Sequence, residues 1–339
     1  MQYDSPGKKI WRYLSPILVY YGIVMLVSFI SSFFITYQLM GSLTASADMK
    51  SFTEELMMRS LEASVPIYLI SGLISLPFLW RMMRKDRTFR KFVGDRSALK
   101  WWTLLYCALA GILCCLAGSI LITISQAGLI FNGYEETSQN IFSQSALMQL
   151  AAVGLVMPFV EEIIFRGLIY SRMKDYMSAN MAMLLSSLIF GIYHGNIIQA
   201  VYGFVMGILM VFVYEKYQTL AAPVICHMGA NLTTLVFSFF NVTFGSVGIL
   251  AVVALICLAA LYLILRLIQK QVNVRIVPNE KYIDISIDGK KNNPNGANSG
   301  IYPPPQGFGG NAGKDSQTRQ YTVDDYYPKP KEHEENKEE

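Results

Sequence analysis

Apolar stretches recur along this chain at 14–39, 63–83, 101–124, 146–171, 180–196, 198–214, 219–241 and 246–268. An apolar run of about 20 residues crosses a bilayer as an α-helix, because hydrocarbon offers the backbone no other hydrogen-bond partner. The expected fold is therefore all-α: a polytopic membrane protein of about eight transmembrane helices. With 53% hydrophobic and only 15% charged residues, the chain is too apolar for an ordinary soluble domain. Only Gly195, Asn196 and Ile197 separate the fifth and sixth runs, which predicts a tight helical hairpin or a partly re-entrant pair.

Basic residues concentrate on the cytoplasmic side of membrane proteins. Lys8, Lys9 and Arg12 precede the first span, and the 81–100 connection carries Arg81, Arg84, Lys85, Arg87, Arg90, Lys91, Arg96 and Lys100. The 125–145 connection has Glu135 and Glu136 and no Lys or Arg. Arg172, Lys174, Lys216, Arg266 and Lys270 continue the alternation, so both termini are expected on the cytoplasmic side, which requires an even number of spans. Ala45-Ser46-Ala47 resembles a signal-peptidase site, but the run from Leu14 to Leu39 exceeds the ~7–15 residues of a signal core, and an uncleaved helix is expected. The chain shows neither a Met-Gly start nor a terminal Cys-a-a-X box, so lipidation of the protein itself by those routes is not expected.

The charge of +4 is too modest to imply a nucleic-acid partner; the bilayer is the expected one, and the sequence leaves the oligomeric state open. Cys107, Cys114, Cys115, Cys226 and Cys257 all lie in apolar segments and read as buried small hydrophobes rather than disulfides. Three regions follow: 1–145, a three-helix membrane region with the basic loop 81–100; 146–268, a membrane region carrying the chemistry; and 269–339, a cytoplasmic tail. Within the tail, 272–288 alternates as a small hairpin would. From Gly289 onward Asn, Gly and Pro dominate, a composition expected to stay disordered.

Ionisable groups are costly at bilayer depth and mark functional sites when present. The fourth span carries Glu161, Glu162 and Arg166, the fifth ends near Phe190 and His194, and the seventh holds His227 and Asn231. The only other histidine, His333, lies in the tail. On a helix Glu162 and Arg166 share a face as an i,i+4 ion pair, whereas Glu161 is turned away by about 100°. That spacing assigns Glu162 and Arg166 to structure and leaves Glu161 to act. Pro158 is expected to disturb the helix just upstream, and Gly167 to admit a neighbouring helix closely. His227 and Asn231 share a face shortly after Pro223. Either histidine alone could serve simply as an interhelical hydrogen bonder.

Glu161-Glu162-x-x-x-Arg166, Phe190-x-x-x-His194 and His227-x-x-x-Asn231, in that order and each in an apolar span, resemble the three motifs of the CPBP family. These are the CAAX-protease and bacteriocin-processing proteins, also called Abi, a family of intramembrane glutamic endopeptidases. The resemblance covers about residues 146–241. It implies a metal-independent, cofactor-free peptidase acting on membrane-associated, lipidated or signal peptides. Glu161 would activate water with help from His194, His227 and Asn231 would stabilise the oxyanion, and Glu162, Arg166 and Phe190 would support the site. The charge pattern and tail give no sign of an organelle signal, so a bacterial plasma-membrane location is expected.

Other functions compete. Two histidines and a glutamate could form a His₂Glu zinc site, although the chain has no HExxH helix to build it. A bacteriocin self-immunity protein or a membrane scaffold would need no catalysis, and a transporter could also use intramembrane charges. One geometric tension accompanies the reading. With these boundaries Glu161 and His227 fall in the cytoplasmic half of the membrane and His194 in the outer half.

Overall fold

The computed structural model describes residues 5–42, 49–88, 90, 92–95, 100–127, 141–240, 246–271 and 275–278. Its helices are α1 (Pro6–Ser42), α2 (Met49–Thr88), α3 (Thr103–Ser125), α4 (Ala146–Met173), α5 (Ala179–Tyr193), α6 (Ile197–Tyr217), α7 (Ala221–Phe239) and α8 (Val247–Lys270). Among the described residues, seven of these are long and apolar enough to cross a membrane; α5, at 15 residues, is the short one. The fold is an all-α polytopic membrane protein, with one two-stranded sheet besides.

That sheet contains a pairing the sequence did not announce. Strand β2 (Arg275–Pro278) falls within the segment 272–288 expected to form a hairpin, the rest of which lies outside the described residues. It pairs antiparallel with β1 (Phe92–Asp95), Phe92 opposite Pro278 and Asp95 opposite Arg275. The chain accordingly divides into two compact units, one of residues 1–86 and 96–274, the other of 87–95 and 275–339. The basic loop expected at 81–100 is helical at its start, since α2 runs on to Thr88. The remainder of the 272–288 segment and the Gly- and Pro-rich tail lie outside the described residues.

Within the first unit, small residues set how closely the helices approach. A methyl group on Gly111 of α3 would sit 1.9 Å from the carbonyl oxygen of Cys226, and one on Gly229 of α7 would meet Ala108 O at 2.8 Å. Backbone-to-backbone contact of this kind is how membrane helices pack where lipid supplies no hydrophobic drive. The α5–α6 hairpin is equally tight: Cβ atoms at Gly191 and Gly207 would strike Ala200 O at 2.3 Å and Ser187 Cβ at 2.8 Å. Gly195 makes the turn with φ +79°, a conformation glycine adopts without strain. Asn196 then caps α6 by accepting from the Gln199 N–H at 2.9 Å. Gly167 faces α2, its nearest neighbour being Met83 Sδ. All five cysteines are free and buried.

Helix α4 has wide π-type turns at Leu150–Val156 and Ile163–Tyr170, flanking a six-residue α-helical stretch, Met157–Glu162. Pro158 sits inside that stretch without an N–H to donate backward, which breaks regular i→i−4 bonding just where the first wide turn ends. Single π turns inside helices gather at functional sites, and Glu161 and Glu162 stand between two of them.

Candidate active site

Three helices, α4, α5 and α7, carry the seven singled-out side chains, and six of them meet in one network of contacts. Glu162 is fully buried at 0% exposure, and its Oε1 accepts two hydrogen bonds, from Arg166 Nη1 at 2.8 Å and from His227 Nδ1 at 2.9 Å. Arg166, 1% exposed, also donates to Gly207 O at 3.2 Å, and its guanidinium lies 4.4 Å from the centre of the Phe190 ring. A buried charge must be paired and hydrogen-bonded to be tolerated. α4 supplies the pair, α6 the carbonyl and α5 the aromatic face.

His227 fixes the chemistry. The Glu162 carboxylate beside Arg166 is an acceptor, so Nδ1 carries the proton in this contact. The other nitrogen, Nε2, faces Glu161 Oε2 at 3.7 Å, beyond hydrogen-bond length and close enough to exchange a proton through a small shift or a water. The imidazole thus spans both carboxylates, and Glu161 is less isolated than its spacing from Arg166 suggests. Glu161 is itself buried, at 8% exposure.

His194 follows the last turn of α5, its Nδ1 held at 2.8 Å by Phe190 O. A carbonyl only accepts, so Nδ1 is again the protonated nitrogen and Nε2 keeps its lone pair when the ring is neutral. Phe190 links the parts: its ring stands edge-on to His194 at 4.9 Å and to His227 at 5.8 Å, and against Phe165 at 4.9 Å. Asn231 is oriented by donating from Nδ2 to Val153 O at 2.8 Å, which leaves its second N–H for another acceptor. Among the described residues no group of three His, Cys, Asp or Glu side chains is arranged to hold a metal ion.

Helix α5 is fifteen residues long, a rise of about 22 Å, and the Phe190 ring meets both His194 and His227 despite the depths expected for them. Three neighbours were invisible to motif spacing: Gly207 O as an Arg166 acceptor, Val153 O as the Asn231 acceptor, and the α1 tyrosine Tyr20, buried and packed toward Tyr193 at 6.5 Å. Gly203-x-x-x-Gly207 in α6, a small-residue spacing the sequence analysis did not use, is a signal that could have found the first of them.

The helical membrane bundle thus encloses two adjacent carboxylates, an arginine, two histidines and an asparagine, groups able to accept and donate protons away from bulk water. Residues 142–233 match the family model described as Rce1-like, type II CAAX prenyl endopeptidase. A curated relative, Putative membrane peptidase YdiL of Bacillus subtilis (strain 168), is 30% identical over 88 residues, 26% of this chain. The match spans 36% of that relative's length, little more than a third. No solved structure matches the chain. The resemblance read from the three motifs thus agrees with both matches, and the segment 142–233 is similar to CAAX-protease proteins.

Proposed function

We propose that the protein is an intramembrane endopeptidase that hydrolyses peptide bonds with water activated by Glu161. The observation that carries this reading is the chain of contacts from Arg166 through Glu162 to His227 and on to Glu161, all within the bundle interior. In this mechanism the Glu161 carboxylate takes one proton from water while His194 Nε2 accepts a hydrogen bond from the O–H that remains. The oxygen adds to the scissile carbonyl, and the electron pair moves to the carbonyl oxygen.

The tautomer inferred for His227 from its bond to Glu162 bears on the next step. A neutral ring with its proton on Nδ1 cannot donate from Nε2, so His227 assists an oxyanion only as an imidazolium. The Glu162 carboxylate, held by Arg166, stabilises that cation. Asn231 supplies the second donor through its free N–H. Collapse of the tetrahedral intermediate breaks the C–N bond, and Glu161 returns its proton to the leaving amine. Substrates would be peptides or proteins at the membrane, lipidated or signal peptides among them. We further place the protein in a bacterial plasma membrane with both termini cytoplasmic. The start of α1 and the end of α8 lie at the same end of the bundle, as an even number of crossings requires.

The test compares peptide termini in host membranes, mapped by mass spectrometry, between wild type and a Glu161→Gln variant. A terminus that disappears in the variant supports the peptidase reading and names the substrate. An unchanged set of termini from a normally expressed variant sinks it in favour of a binding or immunity role.

A further inference from the structure

Helix α1, which lies outside the matched segment 142–233, places a tyrosine beside the site. Tyr20 is fully buried, and its hydroxyl donates to Met157 Sδ at 3.7 Å. Met157 opens the six-residue α-helical stretch of α4 and stands four residues before Glu161, so the two share a face. A helical side chain also leans toward the N-terminus of its helix, which carries the Glu161 carboxylate back over that turn. Tyr20 therefore marks the flank of Glu161 that faces α1.

Helix α5 reaches the same flank with Tyr193. Its ring stands at right angles to that of His194, centroids 5.5 Å apart, and packs on Phe165 at 5.2 Å, Tyr21 at 5.8 Å and Tyr20 at 6.5 Å. Tyr20 behind it is sealed, whereas Tyr193 is only partly buried. The Tyr20 and Tyr193 hydroxyls lie within electrostatic range of each other and of the Glu161 carboxylate. Packing alone would be served by phenylalanine, as Phe165 and Phe190 show 4.9 Å apart in the same cluster. The proposed mechanism has used neither hydroxyl.

Hydrolysis inside a membrane creates a need that these groups can meet. The carbonyl of a helical peptide is already bonded within its helix. Once the peptide is unwound for attack, its freed N–H and C=O groups find no water in hydrocarbon, and the site has to satisfy them. A phenol both donates and accepts, so it can serve either group. We propose that Tyr193 is a substrate-binding residue whose hydroxyl hydrogen-bonds the backbone of the extended peptide beside the scissile bond, and that Tyr20 is a positioning residue that holds Tyr193 toward Glu161. A thioether is a weak acceptor, so the Tyr20 hydroxyl can turn from Met157 to Tyr193 at little cost when the peptide arrives. This role rests on the peptidase reading and adds to it the way a peptide is held.

The test measures kcat and KM for the purified full-length protein in detergent micelles, with casein labelled densely enough with fluorescein that cleavage relieves self-quenching. Glu161→Gln supplies the blank. Tyr193→Phe keeps the ring and removes the hydroxyl; KM should rise about three- to ten-fold, the worth of one neutral hydrogen bond, with kcat changed by less than about two-fold. Tyr193→Leu, which also removes the ring, should raise KM at least as far. Tyr20→Phe should raise KM by about two- to three-fold, again without loss of kcat, and decides the matter if Tyr193→Phe does not fold. Tyr13→Phe, at the edge-on contact with Tyr176, should match wild type. A Tyr193→Phe variant equal to wild type in kcat and KM, beside an inactive Glu161→Gln, overturns the proposal and leaves the peptidase reading standing. So does a loss confined to kcat, which would remove the hydroxyl from substrate binding. Casein turnover equal in wild type and Glu161→Gln sinks the peptidase reading, and this role with it.

Discussion

Removing the Arg166 guanidinium is the sharpest test of how this bundle tolerates charge. Its partner Glu162 is fully buried, and the two meet at 2.8 Å with Arg166 itself 1% exposed. Breaking such a pair from one side leaves an uncompensated charge and costs about 3–5 kcal/mol. Loss of the contact 4.4 Å above the Phe190 ring adds roughly 0.5–2 kcal/mol. One relief acts against this. His227 already bonds Glu162 at 2.9 Å and would still satisfy one of its oxygens. Arg166→Ala is therefore expected to destabilise by about 3–4 kcal/mol. The assay is unfolding of the purified protein in mixed micelles, run as a double-mutant cycle with Glu162→Gln. Removing both charges strands neither, so the double variant should lose less than the sum of the singles by about 2 kcal/mol. A cost under about 1 kcal/mol for Arg166→Ala, or strict additivity in the cycle, would refute the reasoning.

Three further outcomes are expected. Asn231→Ala should slow turnover by about 10²–10³ with little change in substrate affinity, measured as kcat against KM, since it removes one proposed oxyanion donor. Gly111→Ala should disrupt α3–α7 packing and lower thermal stability sharply, because its methyl would sit 1.9 Å from Cys226 O. Gly22→Ala, with nothing within 4 Å, should be neutral or slightly stabilising. Turnover should survive prolonged chelation at the wild-type rate; loss on chelation and recovery with added zinc would transfer the reaction to a His₂Glu metal site instead.

How far the sequence revealed this architecture depended on what each signal measures. Apolar length gave eight helical segments at nearly the right places, because hydrophobic thickness is a one-dimensional property read residue by residue. It erred where length is set by packing. α1 and α2 extend well past their apolar centres, and α5 stops at Tyr193, three residues short of the reading, because Gly195 turns the chain there. The β1–β2 pairing was missed because alternation in 272–288 announces a strand and says nothing of its partner. That partner lies about 180 residues earlier, in a segment that spacing had marked as a basic loop.

At the site, periodicity correctly put Glu162 beside Arg166 and assigned them to one helical face. It also separated Glu161 from them, and there a single-helix argument reached its limit. An imidazole has two nitrogens on opposite edges, so a residue from α7 can touch both carboxylates although they point about 100° apart on α4. What joins Glu161 to Glu162 is thus the width of the His227 ring, and no pattern within α4 contains it. The order of the links also separates their roles. In the proposed mechanism Arg166 holds the Glu162 charge, Glu162 fixes the proton on His227 Nδ1, and of these four groups His227 Nε2 and Glu161 are left to meet a reacting group beside His194 and Asn231. Substitution along this chain should therefore lose stability first at the Arg166 end and activity first at the Glu161 end. A Glu161→Gln variant as unstable as Arg166→Ala would contradict that gradient.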